Sequence, residues 1–157
     1  MHTNTRHLIQ IYSKGKKVVN QFGLINGDPE QAGVAVLDFL FFLQKDEEAY
    51  EHFGKQIERC RFVTDPYRVY SITPFLQSIG VGPELKFTKQ QYQQYVTRFP
   101  QFSCYLSSDI LSWIYNEEGD EVLWVENYNK PILEELLIEW TYQIDLDNGT
   151  FIVDGHR

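Results

Sequence analysis

Cysteine is scarce in this sequence. Cys60 and Cys104 are the 2 present in 157 residues, too few and too far apart for a Cys-x-x-Cys metal or redox motif. Two reduced thiols are expected. Long hydrophobic runs are missing as well. The greasiest stretch, Val34 to Leu43, contains Asp38 and is about half the length that a membrane span needs. Residues Met1 to His7 hold no apolar segment of the secretory kind. Together these absences predict a cytoplasmic protein without membrane association.

Positive charge is the third shortage. The chain carries 14 Lys+Arg against 22 Asp+Glu, a net −8, and the deficit is uneven. From Asp109 onward, twelve acids face only Lys130 and Arg157, a local charge of −10; residues 1–108 carry +2. Acidity argues against duplex DNA, whose binding rests on neutralising phosphates. It favours an acidic face for a basic partner, with Glu117, Glu118, Asp120, Glu121, Glu134 and Glu135 at its centre. An ordinary solvated surface is the alternative.

What is present is the material of one globular domain. Hydrophobic residues make up 43% and aromatics 15%, enough to exclude disorder. A chain of this length buries roughly two-thirds of its unfolded surface, so folding needs neither metal nor disulfide. Leu8 to Tyr12 and Lys17 to Phe22 read as two strands around Gly15. Asp28, Pro29 and Gln31 form a capping pattern ahead of a helix from Ala32 to Gln44. That helix is apolar nearly all round (Val34, Val36, Leu37, Phe39 to Leu43), so it is expected in the core or under a partner.

Asp46 caps a second helix carrying Tyr50, Phe53, Ile57 and Cys60 on one stripe. The prolines and glycines between Phe62 and Pro83 predict irregular chain. Thr88 and Gln91 predict another capped helix to Arg98, and Leu106 to Asn116 a further one. Val122 to Glu126 reads as a strand. The clearest signal is alternation from Leu136 to Leu146, followed by a two-residue Asn148-Gly149 turn and a return strand from Phe151 to Val153. The fold class expected is α+β: an antiparallel sheet built from N-terminal and C-terminal hairpins, with about four helices between them in sequence.

Catalytic and metal motifs are few. His2, His7, His52 and His156 have no ligand spacing, and no phosphate-cradling glycine loop of the dinucleotide or P-loop kind exists. Ser103-Cys104 and Ser107-Ser108 precede a helix, where serine is ordinarily a cap. Asp145 and Asp147 lie two apart beside a turn, an arrangement that either binds Mg²⁺ or solvates the hairpin tip. No metal and no cofactor is expected.

Several segments in order resemble a known pattern: Thr5-Arg6-His7-Leu8-Ile9, Gln21-Phe22-Gly23, Gly27-x-Pro29-Glu30-x-x-Gly33, Val36-Leu37-Asp38-Phe39-Leu40, Phe99-Pro100-Gln101-Phe102-Ser103, Asp109-Ile110-Leu111 and Trp140 to Asp147. The chain resembles a divergent member of a functionally uncharacterised family of small phage, bacterial and fungal proteins. In that family a Gly-Thr-Arg-x-Leu-Ile strand precedes a Gln-Tyr-Gly-Gln-Trp-Asp-Gly-Tyr-Pro-Glu-Gly loop. Here Leu24-Ile25-Asn26 replaces Gln-Trp-Asp, Cys104-Tyr105 replaces Arg-Asp, and Ser107-Ser108 replaces Gly-Ala. Three charges of a recurrent polar site are therefore absent. An Asn cannot serve as a general base, and neither Cys nor Tyr forms the bidentate fork of Arg.

Three functions follow as expectations. The first is a non-catalytic, phage-related binding protein that inhibits a host protein or sequesters a small anionic or nucleotide ligand. Arg6, Gln21, Asn26, Gly27, Glu30 and Ser103 are the expected ligand-binding residues. The available cations are Arg6, Lys14, Lys16, Lys17, Arg59, Arg61 and Arg68. The second is a hydrolase or transferase with its polar site at the 23–33 loop. The third is a structural homo-oligomer assembled through the 34–43 helix.

Overall fold

Two hairpins, one from each end of the chain, make the main sheet. The computed structural model describes residues 4–129 and 137–156. Strand β1 (His7–Ser13) turns through Lys14 and Gly15, both at positive φ, into the antiparallel β2 (Lys16–Gly23). Strand β5 (Trp140–Asp145) turns back into the antiparallel β6 (Thr150–Gly155). The sheet order is β2-β1-β5-β6, and β1 runs parallel to β5. The α+β class and the two hairpins are as the alternation predicts. The seam between the hairpins is parallel, so the sheet is mixed.

The helices lie between. A short π-helical turn, Pro29–Gly33, leads into α1 (Val34–Lys45), followed by α2 (Glu47–Arg59), α3 (Thr73–Ser78), α4 (Lys89–Arg98) and α5 (Ile110–Asn116). Asp46 accepts from the N–H groups of Glu48 and Ala49, and Thr88 and Gln91 close their box in both directions, so two of the predicted caps form. Asp28 does not cap. Its carboxylate accepts the Thr5 hydroxyl at 3.0 Å instead, which ties the entry of β1 to the first helical turn. Strands β3 (Cys60–Phe62) and β4 (Leu123–Val125) add a small parallel pair.

Two apolar clusters support these elements. Ile9, Ile11, Val19, Tyr142 and Ile144 from the sheet meet Val36, Leu43, Phe53, Ile57, Ile110 and Ile114 from the helices. A second, aromatic cluster gathers Tyr95, Phe99 and Phe102 with Leu76 and Trp124. The opposite sheet face carries an amide chain: Gln143 donates to Gln10, Gln10 to Asn20, and Asn20 to Asn127, at 3.2, 3.0 and 3.0 Å. Within this amide chain Gln10 and Asn20, both buried, thereby find partners, as burial requires, whereas the amide oxygens of Gln21 and Gln101 have no hydrogen-bond partner among the described residues.

Helix α1 is only half covered. Val36 and Leu43 are buried, whereas Val34, Leu37, Phe41 and Phe42 remain exposed. Among the described residues no helix is long and apolar enough to cross a membrane.

The C-terminal turn differs from the two-residue form expected. Pairing stops at Asp145 and Thr150, so the loop has four residues. Asp145 causes this, accepting from the backbone N–H groups of Asp147 and Asn148 and from the Asn148 amide. These bonds hold its carboxyl below the ordinary carboxylate range. Asp147 accepts from the N–H groups of Lys14 and Gly15 at 2.8 and 2.9 Å, which joins the tips of the two hairpins. Both carboxylates hold backbone. Asp147→Ala is expected to lower Tm by about 2–4 °C, measured by thermal denaturation.

Candidate functional site

His7 continues the inward stripe of β1 with Ile9 and Ile11 and is wholly buried. Two glycines press on its ring. The three atoms nearest to a Cβ added at Gly23 all belong to the His7 ring, the closest at 2.2 Å; one at Gly27 would meet His7 at 2.3 Å and the Thr5 carbonyl at 2.4 Å. The ring nitrogen Nδ1 lies 3.1 Å from the Thr5 carbonyl. A carbonyl only accepts, so Nδ1 carries the proton and Nε2 is left as the acceptor. Nε2 faces the Ser107 hydroxyl at 2.5 Å. Burial pushes the His7 imidazole below 6.5, more strongly than the Thr5 contact and the charge of Asp28 pull it up.

The residues expected to bind a ligand distribute around this cluster. Gln21 is buried, and its amide donates to the carbonyls of Gln101 and Ser103 at 3.2 and 3.5 Å. Ser103 is half-buried, and its hydroxyl accepts from the Tyr105 N–H. Gly27 packs on His7 while its carbonyl accepts the Tyr142 hydroxyl at 2.5 Å. Asn26 is at positive φ in the same loop. Arg6 is half-buried immediately before β1, and Glu30 is exposed in the π-helical turn. Gln21 and Ser103 are thus brought together, while Gly27 is committed to packing.

The acidic segment has a different construction. Arg59, at the end of α2, donates from Nη1, Nη2 and Nε to the backbone carbonyls of Glu117, Glu118 and Glu121 at 2.8, 2.9 and 2.8 Å. Gln56 beneath it donates to the carbonyls of Ile114 and Glu117, both at 2.7 Å. One guanidinium therefore gathers the loop by its main chain. Its acidic side chains are left outside: Glu118, Asp120 and Glu121 are exposed and Glu117 half-buried. The described ion pairs are Lys14–Glu58 and Arg68–Asp65, and neither involves this loop. Glu134 and Glu135 lie outside the described residues.

The predicted cation pool divides accordingly. Arg59 is spent on the acidic loop, and Arg68 pairs with Asp65 at 3.6 Å. Lys14, Lys16, Lys17 and Arg61 line one open groove of about 660 Å³ between the β1–β2 turn and the end of α2. Glu58 is its single acid, paired to Lys14 at 3.3 Å. Both cysteines are free. Burial pushes the Cys60 thiol up to about 12, against the pull of Arg59 and Arg61, so it stays protonated. Among the described residues no cluster of three or more His, Cys, Asp or Glu side chains has a metal-holding arrangement.

The contact between His7 and Ser107 is not visible in sequence spacing, since 100 positions separate the two. The available signal was a histidine in an otherwise apolar inward stripe. Comparison with known proteins finds no matching family model, no similar curated protein and no similar solved structure.

Proposed function

We propose that this protein binds a basic protein partner through the loop of Glu117, Glu118, Asp120 and Glu121, acting as a phage-related inhibitor of a host protein in the host cytoplasm. The capture of the loop backbone by Arg59 carries this reading. A fixed main chain with unpaired carboxylates presents negative charge without first having to order the loop, which lowers the cost of association. Complementary charge of this kind raises on-rate and selects against acidic competitors.

Affinity capture from bacterial lysate tests it, with the native chain beside Glu118→Lys/Asp120→Lys/Glu121→Lys. The native chain is expected to retain a basic protein at low salt and release it at high salt, because exposed charge is screened. The triple variant is expected to lose at least about tenfold in retention. Equal retention by both chains overturns the reading.

The basic groove supports a second reading, sequestration of a small anionic ligand by Lys14, Lys16, Lys17 and Arg61. Calorimetric titration with ATP separates the two: binding that survives the acidic-loop variant and disappears in Lys16→Glu/Arg61→Glu belongs to the groove.

A further inference from the structure

We propose that Ser107 is a nucleophile with His7 as its general base, and that the pair performs acyl transfer from small carboxylic esters. This activity is separate from the acidic loop and uses neither Gln21 nor Ser103. The hydroxyl and Nε2 are 2.5 Å apart, within reach for proton transfer. A third group orients the base: the Thr5 carbonyl holds Nδ1–H, and the Thr5 hydroxyl is held in turn by Asp28. The ring cannot swing, because Gly23 and Gly27 close on it.

Exposure is divided as such a pair requires. His7 is wholly buried, and Ser107 is half-buried at the surface turn before α5. Ser107 is at φ +54, in the left-handed region that side chains rarely adopt, and such backbone concentrates at functional sites. Among the described residues the groups facing His7 are Asp28, the one charge that acts on it, and Tyr142, whose ring lies edge-on at 6.2 Å. Burial outweighs Asp28 and keeps the imidazole neutral, the form that accepts a proton.

In the first step Ser107 Oγ attacks the ester carbonyl carbon while its proton passes to His7 Nε2. The bond from that carbon to the leaving oxygen then breaks, and the leaving alkoxide takes the proton from Nε2 as an alcohol. Water, deprotonated by the same nitrogen, releases the acyl group as a carboxylic acid and restores the serine hydroxyl.

The test uses the intact chain with a fluorophosphonate probe, located by peptide mass spectrometry, and p-nitrophenyl acetate as substrate. Ser107 is expected to label at least about 100-fold faster in the folded chain than in the urea-unfolded chain. Labelling is expected to fall with acid below a midpoint under 6.5. Ser107→Ala, with unchanged circular dichroism, is expected to lose both labelling and ester hydrolysis. Labelling no faster than in the unfolded chain overturns the proposal, as does hydrolysis unchanged in Ser107→Ala.

Discussion

Gly23→Ala is expected to lower unfolding free energy by about 3 kcal/mol, at the upper end of ordinary overpacking. Most of that loss is expected to vanish when His7 is also replaced by alanine. The three nearest atoms to the added methyl all belong to the His7 side chain, the closest at 2.2 Å. Removing that side chain leaves room for the methyl, so the double-mutant cycle should show a large favourable coupling. Gly27→Ala is the contrast. Its methyl would also meet the Thr5 carbonyl at 2.4 Å, and main chain cannot be removed, so His7→Ala should rescue it poorly. Denaturant unfolding of the native chain, the three single variants and the two double variants reads both results.

The same histidine sets a pH dependence. Its folded form titrates below the ordinary 6.5 because of burial. Below about 6.5 the unfolded chain takes up a proton that the folded chain refuses, so stability falls as pH drops from there toward the folded value. At neutral pH and above both states are unprotonated and the contribution is flat. The His7→Ala chain should lack this slope.

Arg59→Ala is expected to cost about 3 kcal/mol, since it strips three carbonyls and the Gln56 amide oxygen of a charged donor. The loss should be local first. Hydrogen exchange over 117–122 should accelerate at denaturant concentrations that leave the sheet protected. Arg59→Lys should recover only part of the stability, because an ammonium cannot reach three carbonyls in fork geometry. An Arg59→Ala chain with unchanged exchange in this loop would remove the basis for a pre-ordered acidic surface.

Much of the scaffold was legible because hairpins and caps are local. Period-two alternation placed Trp140 to Asp145, Gly15 placed the first turn, and Thr88 with Gln91 placed the start of α4. The parallel seam was not legible, because alternation shows which residues share a face and says nothing about strand direction. Asp28 looked like a cap since it precedes Pro29, yet a hydroxyl from 23 positions upstream claims it. Arg59 resembled any other surface cation, and its role depends on carbonyls about sixty residues later in the chain. The candidate site suffered most, being made of contacts between segments rather than within them.

The parallel seam also governs when the protein can exist. Gln10 and Gln143 are register partners 133 positions apart, and their strands are the inner pair of the sheet. At about 5–20 residues per second, roughly 7 to 27 seconds of synthesis separate the two. Until β5 emerges from the ribosome, the N-terminal hairpin has an open inner edge and no mate for it. Such an edge attracts unrelated strands. The nascent chain therefore spends that interval exposed, and a chaperone that covers this edge until β5 is made is expected to raise the yield of folded protein.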